Sequence, residues 1–304
     1  MKTSKDKFSI TALLLTFVGV FFIGIVIVVG IVFFNQKTLM VPDEFPEIQD
    51  AVDAAVEGDI ILVKPKEDGT PYEENVEINT DNIKLIGVGK EKPVLDGGGA
   101  GLGMDLSDRS DVLVKNFRIQ NFDDGMELKQ ATSNKIIGNT VNGSTFDGIH
   151  LGNAVKNLIK GNVVFENGSD LPPLTGIGIA LVDSNSNLIT GNIVERNMEH
   201  GIRLLGEFQD STSNMVKGNT VKGNGVDGIT LEVRSDENMI IGNTVEENVE
   251  DGISLSADSN ENNVFVNRAF GNGDGITFFD INDQDANNFK GNKCDTSNQP
   301  NICN

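Results

Sequence analysis

The chain contains two histidines, His150 and His200, and both fall within a periodic series of charged residues. That series is the third position of a recurring Gly-apolar-x-apolar motif: Asp105, Glu127, His150, Ala180, Arg203, Thr230, Ser254 and Thr277. In an extended segment successive side chains point to opposite faces, so if the two apolar residues face inward the x residue faces solvent. Carboxylates, an imidazole and a guanidinium would then share one surface, with His200 three residues before Arg203. Asp105 and Glu127 would stand about one strand spacing apart, roughly 5 Å, which suits the paired carboxylates of retaining glycoside cleavage. His150 or Arg203 would instead suit proton abstraction or its stabilisation in a lyase or epimerase reaction. The plain alternative is a solvated strand surface, where charged residues are ordinary.

The residue before each glycine forms a second series, Asp124, Asp147, His200, Asp227, Asp251 and Asp274, interrupted by Ile177. Stacked carboxylates repel one another unless hydrogen bonds or cations compensate, which makes Ca2+ a candidate ligand of Asp124, Asp147, Asp227, Asp251 and Asp274. The other reading has each aspartate cap the backbone of its own Asp-Gly corner. The absence of a Gly-Gly-x-Gly-x-Asp calcium repeat favours the corner.

Both series need a scaffold that returns every 20-odd residues. The motif glycines are Gly103, Gly125, Gly148, Gly178, Gly201, Gly228, Gly252 and Gly275, spaced 22 to 30 residues apart. Between them run asparagine pairs five apart, from Asn134/Asn139 to Asn287/Asn292, often followed by a third such as Asn167, Asn197 or Asn224. Inside each pair the second residue is apolar (Ile136, Ile159, Ile189, Val216, Ile240, Val264, Phe289), and two residues beyond each pair stand Val141, Val164, Val194, Val221, Val245, Ala269 and Cys294. Three- or four-residue alternations read as short strands, with Asn and Gly turning the corners. One such coil cannot bury its own apolar face and must stack on the next. The pattern predicts an all-β, right-handed parallel β-helix with stacked asparagine ladders. A leucine-rich repeat would need a Leu-x-x-Leu-x-Leu frame and a helix per repeat, and neither is present.

Phe45 to Val56 reads as an amphipathic capping helix over the first coil. The coil around Asp111–Asn121 keeps the corner spacing, but its apolar register is displaced near Arg118. Two insertions, Gly168 to Thr175 with Pro172-Pro173 and Glu207 to Ser211, would wall a groove beside the charged series.

The formal charge of −21 argues against nucleic acid as a partner. It would also repel a polyuronate unless a divalent cation intervened. Ile10 to Phe34 is an uncharged, mostly apolar run of 25 residues, long enough to span a bilayer. Lys2, Lys5 and Lys7 precede it, placing the N-terminus in the cytoplasm and the remainder outside. An uncleaved transmembrane anchor is favoured over a signal peptide, because no small-x-small site follows Phe33-Phe34-Asn35. Cys294 and Cys303, the only cysteines, read as a disulfide in an exported domain. The expected organisation is a stub and anchor over 1–40 and a β-helix over 41–304, with repeats from about 97 to 292 and a disulfide-closed cap over 293–304.

Ile48-Gln49-Asp50-Ala51-Val52-Asp53-Ala54-Ala55 with Gly58-Asp59, then Tyr72-Glu73-Glu74-Asn75-Val76 and Val94-Leu95-Asp96-Gly97, resemble the opening of pectin-lyase-like β-helix proteins. The Asn-x4-Asn and Asp-Gly-Ile repeats resemble those of the carbohydrate-binding and sugar-hydrolase group, which includes the NosD-type proteins that help mature nitrous oxide reductase. The resemblance covers about residues 41–304 and specifies fold far better than activity. It implies a cell-surface protein that binds or processes polysaccharide as a lyase, epimerase or glycosidase. A non-catalytic adhesion or structural module is the alternative, although no Trp is present and Tyr72 lies outside the repeats. A copper-maturation role would want clustered His, Met or Cys, which two histidines and scattered methionines do not supply.

Overall fold

Each repeat becomes one coil, and each coil gives one short strand to each of three parallel sheets. The structure, a computed structural model, describes residues 36–169, 176–273, 279–284 and 287–303. Sheet A has 11 strands, from Thr38–Val41 to Asn288–Lys290; sheet B has nine, from Val94–Asp96 to Lys293–Cys294; sheet C has nine, from Val76–Glu77 to Ile281–Asp283. Residues Lys37–Asn304 form one unit, a right-handed parallel β-solenoid of about 10 turns. The expected membrane segment Ile10–Phe34 lies outside the described residues, among which no helix is long and apolar enough to cross a membrane.

The sequence columns are the packing columns. Ile136 pairs with Ile159, Ile159 with Ile189 and Ile189 with Val216 in sheet A, while Val141, Val164 and Val194 do the same in sheet B. All are fully buried, and each contributes roughly 1.5–3 kcal/mol relative to exposure. The asparagines stack beside them. Asn134 donates both its backbone N–H and its Nδ2 to Asn157 Oδ1, at 2.9 and 3.1 Å. Asn157 does the same to Asn187, and so on up the stack. A second ladder climbs from Asn139 to Asn292 and a third from Asn167 to Asn272. Each side-chain oxygen thus satisfies backbone N–H groups that a buried corner would otherwise leave unpaired.

The two kinds of repeated glycine serve different ends. Gly138, Gly161, Gly191, Gly218, Gly242 and Gly291 turn the A–B corner at positive φ, where Val266 takes the same place at φ 50°. The motif glycines of sheet C are needed for close approach. A Cβ on Gly201 would stand 2.4 Å from Val221 Cγ1 and 2.6 Å from the Gly228 carbonyl oxygen. Positive φ is found at the corner glycines and not at Gly103, Gly125, Gly148, Gly178, Gly201, Gly228 or Gly252.

Three expectations at the ends are corrected. The helix spans only Ile48–Ala54, because Glu47 and Ala55 on either side are extended. Its Ile48, Ala51 and Val52 are buried and Glu74 accepts its first two N–H groups, but the outer edge of sheet A is strand Thr38–Val41. The coil at Asp111–Asn121 keeps its register: Val114 pairs with Ile136 and Ile119 with Val141, while Val112 and Phe117 sit beneath Asn134 and Asn139 and donate their N–H groups to them. In the last coil Gly275–Phe278 lies outside the described residues. The strand that continues sheet C is Ile281–Asp283, which puts Asn282 opposite Ser254 where Thr277 was expected. Asp280 ends the third ladder there by accepting from both the N–H and Nδ2 of Asn272. Cys294 pairs opposite Ala269 and is joined to Cys303 by a disulfide, which draws the tail back over the last coil.

Candidate functional site

The outward row of sheet C is continuous and in register, running Asp105, Glu127, His150, Ala180, Arg203, Thr230, Ser254. Its members differ sharply in what they touch. Asp105 accepts the Ser107 N–H at 2.8 Å, and Glu127, only 6 % exposed, pairs with Lys129 Nζ. The two carboxylates are neighbours, as expected, and each is already engaged.

Around His150 a first cluster forms. Asp147 Oδ2 lies 2.9 Å from His150 Nδ1, and Asp124 Oδ1 accepts the Asp147 N–H at 2.8 Å. Burial opposes a charge on His150, but the hydrogen bond and charge of Asp147, with Asp124 and Glu127 nearby, outweigh it and raise its pKa. Burial lifts the Asp124 carboxyl to about 6, against the Asp147 backbone hydrogen bond.

A second cluster lies two coils on. Arg203 Nε and Nη2 grip Glu232 Oε2 at 3.1 and 2.6 Å. His200 lies between two carboxylates, its Nε2 3.6 Å from Glu232 Oε1 and its Nδ1 3.5 Å from Asp227 Oδ2. Its Nδ1 also accepts the Asp227 N–H at 3.3 Å, which leaves the ring proton on Nε2. Burial, reinforced by Arg203 and opposed by Glu232, depresses His200 to about 4, so it is neutral at pH 7. Burial pushes Asp227 up to about 7, against a backbone hydrogen bond from Asp251.

On the coil of His200 and Arg203 lies Glu199, which the periodicity did not single out and whose N–H is donated to the Gly176 carbonyl of the coil before. Burial raises its pKa, Arg203 opposes the rise, and the charges of Asp147 and Glu232 add to it. It therefore senses both clusters, with Ala180 as the floor between His150 and Arg203. Glu199 and Glu232 sit outside the x column, and no periodic signal marks them.

The insertion Glu207–Ser211 folds along the C–A corner. Asp183 Oδ1 accepts the N–H groups of Phe208 and Gln209, and Gln209 Nε2 reaches Asn153 Oδ1 at 3.1 Å. It borders a concavity of about 520 Å³ lined by Gln130, Asn153, Val155, Asp183, Asn185 and Gln209, and Phe208 is 78 % exposed. Of the other insertion, residues 170–175 lie outside the described residues.

The aspartate column is a hydrogen-bond ladder. Oδ1 of Asp124, Asp147, Asp227 and Asp251 accepts the N–H of Asp147, Ile177, Asp251 and Phe279 respectively. Each caps the coil above it, where the corner reading had it cap its own; Asp274 lies outside the described residues. These oxygens do not converge, and among the described residues no group of three His, Cys, Asp or Glu is placed to hold a metal ion, calcium included.

Two family models match the chain: the right handed beta helix region over residues 96–210 and the periplasmic copper-binding protein NosD over 174–302. No curated protein matches it by sequence. Among solved structures it is similar to a pectate lyase, at a TM-score of 0.67 and 12% identity over 87% of this chain and 78% of that one. It is also similar to the A-module of a mannuronan C-5 epimerase from Azotobacter vinelandii, at a TM-score of 0.61 and 17% identity over 80% and 69% of the two chains. An alginate lyase from Paenibacillus sp. aligns at 0.56 and 14% identity over 85% and 95%. At such identities the likeness establishes the fold. The copper that the NosD description implies does not fit the described residues. Both cysteines are in the disulfide, the coil of Ala180 separates the coils of His150 and His200, and the carboxylates flanking His200 lie on opposite sides of its ring.

Proposed function

We propose that this chain, a pectin-lyase-like right-handed parallel β-helix protein, processes a uronate-containing polysaccharide on the outward face of sheet C between His150 and Arg203, with divalent cations from solution offsetting the repulsion by its net charge of −21. The observation that carries the reading is the row His150, Ala180, Arg203 along sheet C, with Asp147 Oδ2 2.9 Å from His150 Nδ1, Glu232 gripping Arg203, and Glu199, whose pKa burial raises, within electrostatic reach of Asp147 and Arg203. Loss of a proton from the carbon beside a sugar carboxylate needs a base of raised pKa and cations to stabilise the anion formed. Glu199 supplies the first, and Arg203 and protonated His150 supply the second. If His150 then protonates the glycosidic oxygen, the chain is cleaved by elimination; if a proton returns to the same carbon from the other face, the sugar is epimerised. Glu232 holds Arg203, and the neutral His200 has its Nε2 3.6 Å from Glu232 Oε1. The corner concavity beside Phe208 would take a neighbouring sugar, with polar side chains for hydroxyls and a ring face for stacking.

The run Ile10–Phe34 would tether the protein with the β-helix outside the cytoplasm, a reading that the flanking lysines and the disulfide support. The test is incubation of the protein with a panel of acidic and neutral glycans. Unsaturated ends identify a lyase, a changed uronate composition without cleavage an epimerase, and new reducing ends without unsaturation a glycosidase. No binding or turnover on any glycan sinks the proposal.

A further inference from the structure

Sheet A runs the length of the solenoid, and its outward face bears no carboxylate. From strand Thr38–Val41 to strand Asn288–Lys290, the charged residues pointing out are Lys84, Lys115, Lys135, Lys160, Lys217 and Lys290, all exposed. None of these makes an ion pair among the described residues, whereas Lys64, Lys129 and Lys222 each do. Between them the outward positions hold half-buried apolar residues: Leu158, Leu188, Met215 and Met239 are successive partners along the sheet, Phe265 pairs with Ile241, and Leu113 lies between Lys84 and Lys135. This face belongs to a chain with 45 acidic and 24 basic residues and a net charge of −21. Carboxylates stop at its border with sheet C, at Asp81, Asp111, Glu237 and Glu261, and the A–B corners from Asn116 to Asn292 have none.

Such segregation selects an anionic partner by charge. The aliphatic row selects further: leucine and methionine gain nothing against a hydrated acidic glycan but gain by entering a headgroup layer, while lysines extend their ammonium groups to phosphate. Sheet A is also the first sheet the chain enters after its apolar run, with only Asn35, Gln36 and Lys37 between Phe34 and Thr38. We propose that the outward face of sheet A lies on an anionic phospholipid surface, which leaves sheet C turned to solvent. This does not depend on the catalytic reading.

The test is amine-reactive footprinting of the full-length protein mixed with lipid nanodiscs, either phosphatidylcholine alone or an equimolar mixture with phosphatidylglycerol. Labelling of Lys84, Lys115, Lys135, Lys160, Lys217 and Lys290 should fall at least about fivefold in the anionic discs. It should return at about 1 M salt, where the screening length is roughly 3 Å, while Lys129 and Lys222 stay unchanged in both lipids. The combined variant Lys115→Gln, Lys135→Gln, Lys160→Gln, Lys217→Gln, which alters only exposed positions, should lose the protection of Lys84 and Lys290. Equal labelling in both lipids, or no association with anionic discs, overturns the proposal. Protection by a soluble polyuronate but not by phosphatidylglycerol also overturns it and assigns the face to an acidic glycan.

Discussion

Asp147 and His150 form a pair in which one carboxylate does two jobs: Oδ2 lies 2.9 Å from His150 Nδ1, and Oδ1 accepts the Ile177 N–H from the next coil at 3.1 Å. The imidazole is thereby fixed to the frame of the solenoid. Because His150 has a raised pKa, its protonated form contributes stability that is full below the ordinary histidine value and lost as pH rises through the higher folded value. Asp147→Asn keeps the acceptor for Ile177 and removes the charge. It should lower the His150 pKa, read by NMR titration of the ring, and shift any activity profile to lower pH. An unchanged titration would refute the pairing.

Glu199 is half-buried and lies outside the hydrophobic columns. Glu199→Gln should lower turnover on a glycan substrate at least about 100-fold, the scale of one general acid–base group, with the melting temperature unchanged. Retention of full turnover would remove Glu199 from the chemistry.

Asp227 has its pKa pushed up to about 7 by burial. A carboxyl raised by folding favours the native state while protonated and costs stability as pH climbs from its unfolded value near 4 through 7. Asp227→Asn retains the acceptor for the Asp251 N–H. It should add roughly 1–3 kcal/mol at pH 8 and nothing at pH 4, measured by denaturant melts at both.

Val266 occupies a left-handed corner that glycine fills in most other coils, and its side chain is 54 % exposed. A β-branched residue there is strained. Val266→Gly should therefore stabilise the fold by about 1 kcal/mol, in contrast to most glycine substitutions in strands. A fall in melting temperature would show that the valine packs usefully against Gly291.

Gly201 faces the opposite constraint. Its neighbours, Val221 Cγ1 and the Gly228 carbonyl, leave no room for a methyl group. Gly201→Ala should destabilise by about 3 kcal/mol or more, at the upper end of overpacking costs, and Gly138→Ala, which meets open space, by less. Equal losses at the two sites would show that backbone freedom, not crowding, governs both.

The sequence by itself determined what stacking repeats. Ile136 above Ile159, Val141 above Val164, Asn134 above Asn157 and the outward row through His150 were all legible, because in-register coils turn a period along the chain into a column in space. The Cys294–Cys303 bridge was legible too, from a single pair of cysteines in a chain whose flanking lysines and apolar run read as exporting it. Only the tertiary structure decided what meets between columns. Glu199 reaches the charges of Asp147 and Arg203 from a corner, Glu232 clasps Arg203 from the end of the next strand, and His200 is held neutral beside Arg203 while His150 is held toward its cation. Those outcomes depend on side-chain reach and desolvation across coils of unequal length, which no periodicity encodes. The basic face of sheet A is the same lesson at larger scale: its lysines are scattered along an acidic sequence, and only the stacking of the coils gathers them on one side.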